Sequence, residues 1–141
     1  MTHHFNAMKS ARTAIRLSVI TACAMNLCAC SHLSKEAKEI IGTYYNTELS
    51  QTDPVMELHK DAKCIIRAIK PGILTYSVDG KWNVENDSLI VTLDPESMTF
   101  EGDSTLIGRI PTRIAQKVVS YNDFSLQLET DGITYLYQRR K

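Results

Sequence analysis

The sequence is poor in the residues and spacings that catalysis and covalent cross-linking need. Of its four cysteines only Cys64 follows residue 30, so the later part of the chain cannot form an intramolecular disulfide. Neither Gly-x-x-x-x-Gly-Lys nor Gly-x-Gly-x-x-Gly occurs, which argues against a nucleotide-binding loop, and no Gly-x-Ser-x-Gly marks a hydrolase nucleophile. His59 is the only histidine after residue 40. We therefore expect no catalytic residue, no metal site and no cofactor, and a role other than catalysis.

The chain also lacks an excess of charge of one sign. Sixteen basic and sixteen acidic residues balance over the full sequence. The first thirty residues carry Lys9, Arg12 and Arg16 and no acid, which leaves thirteen bases against sixteen acids, a net charge of −3, after residue 30. A mildly acidic domain offers no basic surface for a phosphate backbone, so we expect no nucleic-acid partner.

No apolar run is long enough to cross a membrane as a helix, which takes about 20 residues. Residues 17–29, LSVITACAMNLCA, are mostly apolar or small and number only 13. They follow a basic segment, and this order is typical of a secretory signal peptide, which begins here at either Met1 or Met8.

The end of this run, Leu27-Cys28-Ala29-Cys30, resembles the lipobox of bacterial lipoproteins. The resemblance implies that residues 1–29 are a lipoprotein signal peptide and that Cys30 becomes the first mature residue, acylated with palmitate-like chains. Ser31, where an aspartate would retain the protein in the inner membrane, implies the outer membrane. We thus expect a bacterial envelope lipoprotein that contacts the membrane through a lipid anchor at Cys30, on its periplasmic or its outer face.

Other interpretations of these cysteines fit the spacing less well. A redox pair normally has the spacing Cys-x-x-Cys, whereas one residue separates Cys28 from Cys30. A zinc site needs two further ligands, and no cluster of such residues follows. A buried amphipathic helix at the N-terminus is the remaining alternative.

The chain after the cysteine begins with a helical pattern and continues with strands. Residues 30–39 predict a lipidated tether with a short helix, because apolar residues at 33, 37, 40 and 41 have helical spacing and Ser34 can cap it. Residues 40–141 show turn signals every 8–12 residues and predict about ten short strands. The predicted strands are IIGTYYNTE, VMELHK, CIIRAI, ILTYSV, KWNVE, SLIVTL, MTFEG, STLIGRI, RIAQKVVSY, FSLQLE and ITYLYQR, with Asp79-Gly80 as one of the hairpin turns.

This pattern predicts an all-β fold, a small antiparallel meander β-barrel over residues 40–141 preceded by the tether and helix. Closure into a barrel removes the exposed edges that so many short strands would otherwise present. The pattern resembles the lipocalin-like domains of bacterial envelope lipoproteins. Those domains open with Gly-x-Trp, packed by an arginine beyond the last strand. The resemblance places Gly42 and Tyr44 at the first motif and implies that Gly42, with Arg139 or Arg140, closes one end of the barrel.

Five aromatic residues are the leading candidates for a binding site: Tyr44, Tyr76, Trp82, Tyr135 and Tyr137. Aromatic walls with polar tips suit a small amphipathic or glycan-like ligand. A barrel this small can instead be filled by its own side chains, and the sequence leaves that choice open. The alternative is an interaction or structural protein of the envelope that binds a protein partner through its outer strands and loops, for example through the stretch Asp94–Asp103.

Overall fold

The computed structural model describes residues 32–140. Within that range the chain forms one α-helix, one 3-10 helix and eight strands. They are α1 (Lys35–Glu39), β1 (Gly42–Tyr45), β2 (Met56–Leu58), β3 (Lys63–Lys70), β4 (Leu74–Glu85), β5 (Ser88–Gly102), the 3-10 helix (Ser104–Leu106), β6 (Arg113–Tyr121), β7 (Ser125–Thr130) and β8 (Ile133–Arg140).

The strands form a closed antiparallel barrel in meander order. Each strand pairs with the next along the chain, and β8 returns to pair with β1, so that Tyr44 lies opposite Arg139. The prediction of an all-β, antiparallel meander barrel is confirmed.

The hairpins follow from local turn chemistry. Asn86 and Asp87 between β4 and β5 have φ of 50° and 63°, and Asp131 and Gly132 between β7 and β8 have φ of 52° and 78°. Positive φ at both central residues is what a primed two-residue turn needs to match the twist of its strands. In the last hairpin Leu126 and Leu128 are fully buried, as their alternation predicts.

The barrel has eight strands rather than about ten, because two predicted turns lie inside long strands. β4 runs unbroken through Asp79-Gly80, and β5 runs through Asp94 and Pro95. The register between these strands shifts from Ser77 opposite Thr99 to Asp79 opposite Asp94, which leaves the extra residues of β5 as a bulge. The turn-forming residues therefore bend two paired strands without ending them.

Two further predictions, each about a single segment of the chain, are wrong. STLIGRI forms the 3-10 helix and a loop, since the carboxylate of Asp103 accepts from the Thr105 amide at 3.0 Å and caps that helix. Phe124, predicted as the first residue of the strand FSLQLE, is 79% exposed. It precedes β7 and belongs to the turn, where its amide donates to Oδ1 of Asn122 at 2.7 Å.

The helix α1 is packed into the barrel core. The Ser34 hydroxyl accepts from the Ala37 amide at 3.1 Å, and the Ser34 amide donates to Oδ1 of Asn83 on β4 at 2.8 Å. Leu33, Ala37 and Ile40 are buried in the main core. The compact unit begins at Leu33 and includes the short helix predicted within residues 30–39. The proposed signal peptide 1–29 and Cys30 lie outside the described residues.

Within residues 32–140, no helix combines the length and the apolar character required to span a bilayer.

Candidate functional site

One end of the barrel is closed by packed side chains. The phenol of Tyr44 is fully buried and donates to the carbonyl oxygen of Ile40 at 2.6 Å. Burial raises the pKa of Tyr44 to about 12, and the nearby Arg139 charge acts in the opposite direction. Trp82 is also buried, and its Nε1 donates to the carbonyl of His59 at 2.9 Å. Tyr44 and Trp82, two of the five predicted ligand-binding residues, are thus parts of the core.

Arg139 ties the closed end together. Its side chain is only 7% exposed, and its guanidinium donates to the carbonyls of Glu39 and Ile41 at 2.8 Å and of Asn122 at 3.0 Å. These contacts join the end of α1, the start of β1 and the β6–β7 turn. Within residues 32–140 the Nε atom of Arg139 finds no acceptor.

Gly42 gives Arg139 its space. A Cβ at position 42 would lie 3.2 Å from Nε and 3.5 Å from Cγ of Arg139. The sequence did not decide whether Arg139 or Arg140 closes the end of the barrel. In the structure Arg139 is the buried one. Arg140 stacks over the exposed side of the wall, with its guanidinium carbon 4.0 Å from the ring centroid of Tyr45.

The opposite end of the barrel contains a cavity of about 390 Å³, which we call the open-end cavity. This volume is within the range of about 300–1,000 Å³ typical of small-molecule sites. Tyr135 and Tyr137 line it, whereas Tyr76 is half-buried against the core and does not. The other lining residues are Asn46, Leu49, Val55, Met56, Ile66, Arg67, Ala68, Ile69, Lys70, Val91, Ile114 and Gln116.

The cavity walls are mostly apolar, with a few polar groups. Apolar side chains such as Met56, Ile66 and Ile114 form the interior, and the two tyrosines bring phenol groups. Burial raises the pKa of Tyr137, and Tyr135 beside it adds to the effect, so Tyr137 remains a neutral phenol. Such a lining suits a molecule that is apolar over most of its length and polar at one end.

Alternation along the strands explains which residues the sequence reasoning missed. On β3 the buried Cys64 lies on the same face as Ile66 and Ala68, and on β6 Ile114 and Gln116 share a face. Ile66, Ala68, Ile114 and Gln116 line the cavity with aliphatic or amide side chains, so a search for aromatic residues passes over them. The signal that could have identified these residues is the alternation of inward and outward side chains along each strand.

The remaining reactive side chains lie outside this cavity or deep in the core. Burial and the charge of Asp79 raise the pKa of the Cys64 thiol to about 12, which leaves it un-ionised. Glu57 pairs with Arg67 and approaches His59 at 3.4 Å. Partial burial would raise the pKa of Glu57, but its hydrogen bond and attraction to Arg67 outweigh this and lower it. Across residues 32–140, no three His, Cys, Asp or Glu side chains meet as a metal site.

Comparisons with known proteins identify no family for this chain. No protein-family model matches the chain, and no curated protein matches it. Among solved structures, the chain is similar to a lipocalin-like protein from Bacteroides uniformis ATCC 8492, with 16% sequence identity and a TM-score of 0.35 over 71% of this chain and 93% of that one.

Proposed function

We propose that this protein is a non-enzymatic binding module that holds a small amphipathic or glycan-like ligand in the open end of its barrel. The open-end cavity, apolar in its walls and edged by Tyr135 and Tyr137, is the observation that carries the proposal. Each methylene that the cavity removes from water contributes about 0.8 kcal/mol, and the phenols and Gln116 supply hydrogen bonds for a polar end.

Dodecyl maltoside, below its micelle concentration, is a suitable probe because it joins an alkyl chain to a sugar. Binding is measured by calorimetry on the full chain carrying Cys30→Ser, which removes the proposed acyl acceptor. We expect saturable binding to one site. At about 100 times the dissociation constant the probe should stabilise the fold by about 2.7 kcal/mol, a rise in Tm of about 10 °C.

Ala68→Trp should weaken this binding at least tenfold, because an indole at position 68 would fill the cavity that Ala68 lines. The matched control is Ala115→Trp, since Ala115 is exposed on β6 and does not line the cavity. Equal affinity of the Ala68→Trp variant and the unsubstituted chain, both folded by circular dichroism, would show that the probe binds elsewhere.

We propose further that the protein is a lipid-anchored component of the bacterial cell envelope, acylated at Cys30 and exported to the outer membrane. The support is the sequence Leu27-Cys28-Ala29-Cys30 after a basic and an apolar segment. In cells fed labelled palmitate, Cys30→Ala should abolish labelling, and Cys28→Ala should retain it because small residues suit that position. Unchanged labelling of the Cys30→Ala variant would contradict the anchor.

A second candidate function is binding of an envelope protein through the outer surface. Exposed apolar side chains favour it, chiefly Phe124 and Leu136, which are 79% and 62% exposed. Crosslinking in intact cells separates the candidates, since repeated recovery of one protein partner favours this second function.

A further inference from the structure

The barrel wall has a slot between β1 and β8. Pairing of these strands stops at Tyr45 opposite Gln138, where β1 ends, while β8 begins at Ile133. Residues 133–137 of β8 therefore pair with β7 on one side and with no described strand on the other. The slot lies beside the open-end cavity, because Tyr135 and Tyr137 line that cavity.

The backbone of β8 offers hydrogen bonds into this slot. The Arg139 amide donates to the Phe124 carbonyl before β7 at 2.7 Å. Backbone groups of successive residues in a strand point to opposite sides, so those of Tyr137 and Tyr135 also face β7. The amides and carbonyls of Thr134 and Leu136 consequently face the slot.

A second cavity of about 550 Å³ lies on the outer side of the slot, and we call it the outer groove. Its lining includes five consecutive residues of β8, 134–138. Consecutive side chains alternate between the faces of a sheet, so a groove that all five line must lie along the edge of the strand. The outer groove shares Asn46, Tyr135 and Tyr137 with the open-end cavity, which places the two cavities on either side of one stretch of β8.

The two cavities differ in chemistry. The open-end cavity is mostly aliphatic, whereas the outer groove presents hydroxyl and amide groups together with aromatic rings. Among the described residues Glu48 is the one charged side chain of the groove lining, and the Arg140 guanidinium lies beside it, stacked on Tyr45 and bonded to Gln138, so the groove has no excess of charge of one sign. The hydrogen-bonding side chains are Asn46, Thr47, Ser125, Thr134 and Gln138, and the rings include those of Tyr45 and Phe124.

We propose that the slot is a lateral portal through which one elongated amphipathic ligand spans both cavities. Its alkyl chain lies in the open-end cavity, and its uncharged, hydroxyl-rich head group lies in the outer groove, where it bonds to Thr134 and the open edge of β8. This inference rests on the proposed binding function and specifies the ligand as a glycolipid-like molecule.

The test compares two probes that share a chain and differ in the head group. Dodecyl maltoside and dodecanol are titrated into the full chain carrying Cys30→Ser and into its Thr134→Trp variant. We expect Thr134→Trp to weaken maltoside binding about tenfold, the loss of one or two net hydrogen bonds, while dodecanol binding is unchanged. Thr134→Val, which removes the hydroxyl with little change of shape, should weaken only the maltoside, by a few fold. Thr112→Trp is the matched control, because Thr112 is exposed and lines neither cavity.

The outcomes separate the portal from the binding function. Suppose that both probes bind and that neither Thr134 substitution weakens maltoside binding relative to dodecanol binding. The head group then lies outside the groove and the portal is wrong, while the binding function stands. If neither probe binds, the binding function fails first. A dimer of the unsubstituted chain in sedimentation that Thr134→Trp dissociates would place a second copy in the groove and would also overturn the portal.

Discussion

Replacing Arg139 with alanine should lower the free energy of unfolding by about 3–5 kcal/mol, measured by urea denaturation of the full chain. The guanidinium is almost fully buried and bonds to the carbonyls of Glu39, Ile41 and Asn122. Its removal takes a donor from three backbone carbonyls and leaves a void between α1, β1 and the β6–β7 turn. An unsatisfied buried polar group costs about 1–3 kcal/mol, and partial entry of water offsets some of the sum.

Arg140→Ala is the matched control, since the neighbouring arginine is exposed and contacts only the outer surface. Its stacking on Tyr45 contributes about 0.5–1 kcal/mol, and its hydrogen bonds to Gln51 and Gln138 are exposed to water, so we expect a loss of about 1 kcal/mol. Equal losses for the two variants would contradict the assignment of Arg139 as the residue that closes the barrel.

Gly80→Ala should destabilise the fold by about 2–3 kcal/mol, because the backbones of β4 and β5 approach too closely at this point for a side chain. A Cβ at position 80 would lie 2.3 Å from the carbonyl oxygen of Thr92 and 3.1 Å from Cδ2 of Leu93. The backbone oxygen cannot rotate away as a side chain would, so the paired strands must separate. The loss is again read from urea denaturation.

Gly108→Ala is the control for this substitution. Among residues 32–140, no atom beyond the two chain neighbours lies within 4 Å of a Cβ built at Gly108, so alanine there should be neutral or stabilise by about 0.5 kcal/mol through the unfolded state. If Gly80→Ala behaved like Gly108→Ala, the close approach of β4 to β5 at Gly80 would be wrong.

The position of Gly80 inside β4 is one reason why about ten strands were predicted and eight are found. The pair Asp79-Gly80 is a frequent turn signal, and glycine is used both for positive φ and for close approach of two backbones. Local sequence does not distinguish these uses, because the second depends on which strand lies alongside. Asn86-Asp87 and Asp131-Gly132 use positive φ, and there the predicted turns agree with the structure.

The closed end was easier to predict than the binding site. Gly42, Tyr44 and Arg139 meet through the pairing of the first and last strands, which barrel closure requires. The sequence pattern places all five aromatic residues on the inward faces of their strands. Alternation, however, predicts only the face of the strand on which a side chain lies. It does not predict how far along the barrel axis a residue lies, because that position depends on the register of all eight strands. Tyr44 and Trp82 are buried in the core at the closed end, whereas Tyr135 and Tyr137 line the open-end cavity.

The proposed occupation of the open end is tested most directly by methyl-selective NMR during a titration with dodecyl maltoside. Saturable shift changes are expected for the methyl groups of Ile66, Val91 and Ile114, which line the open-end cavity. Leu58 and Leu89, buried but outside that lining, should keep their shifts. A titration that leaves the three cavity residues unchanged while the probe binds would contradict the binding of a ligand inside this barrel.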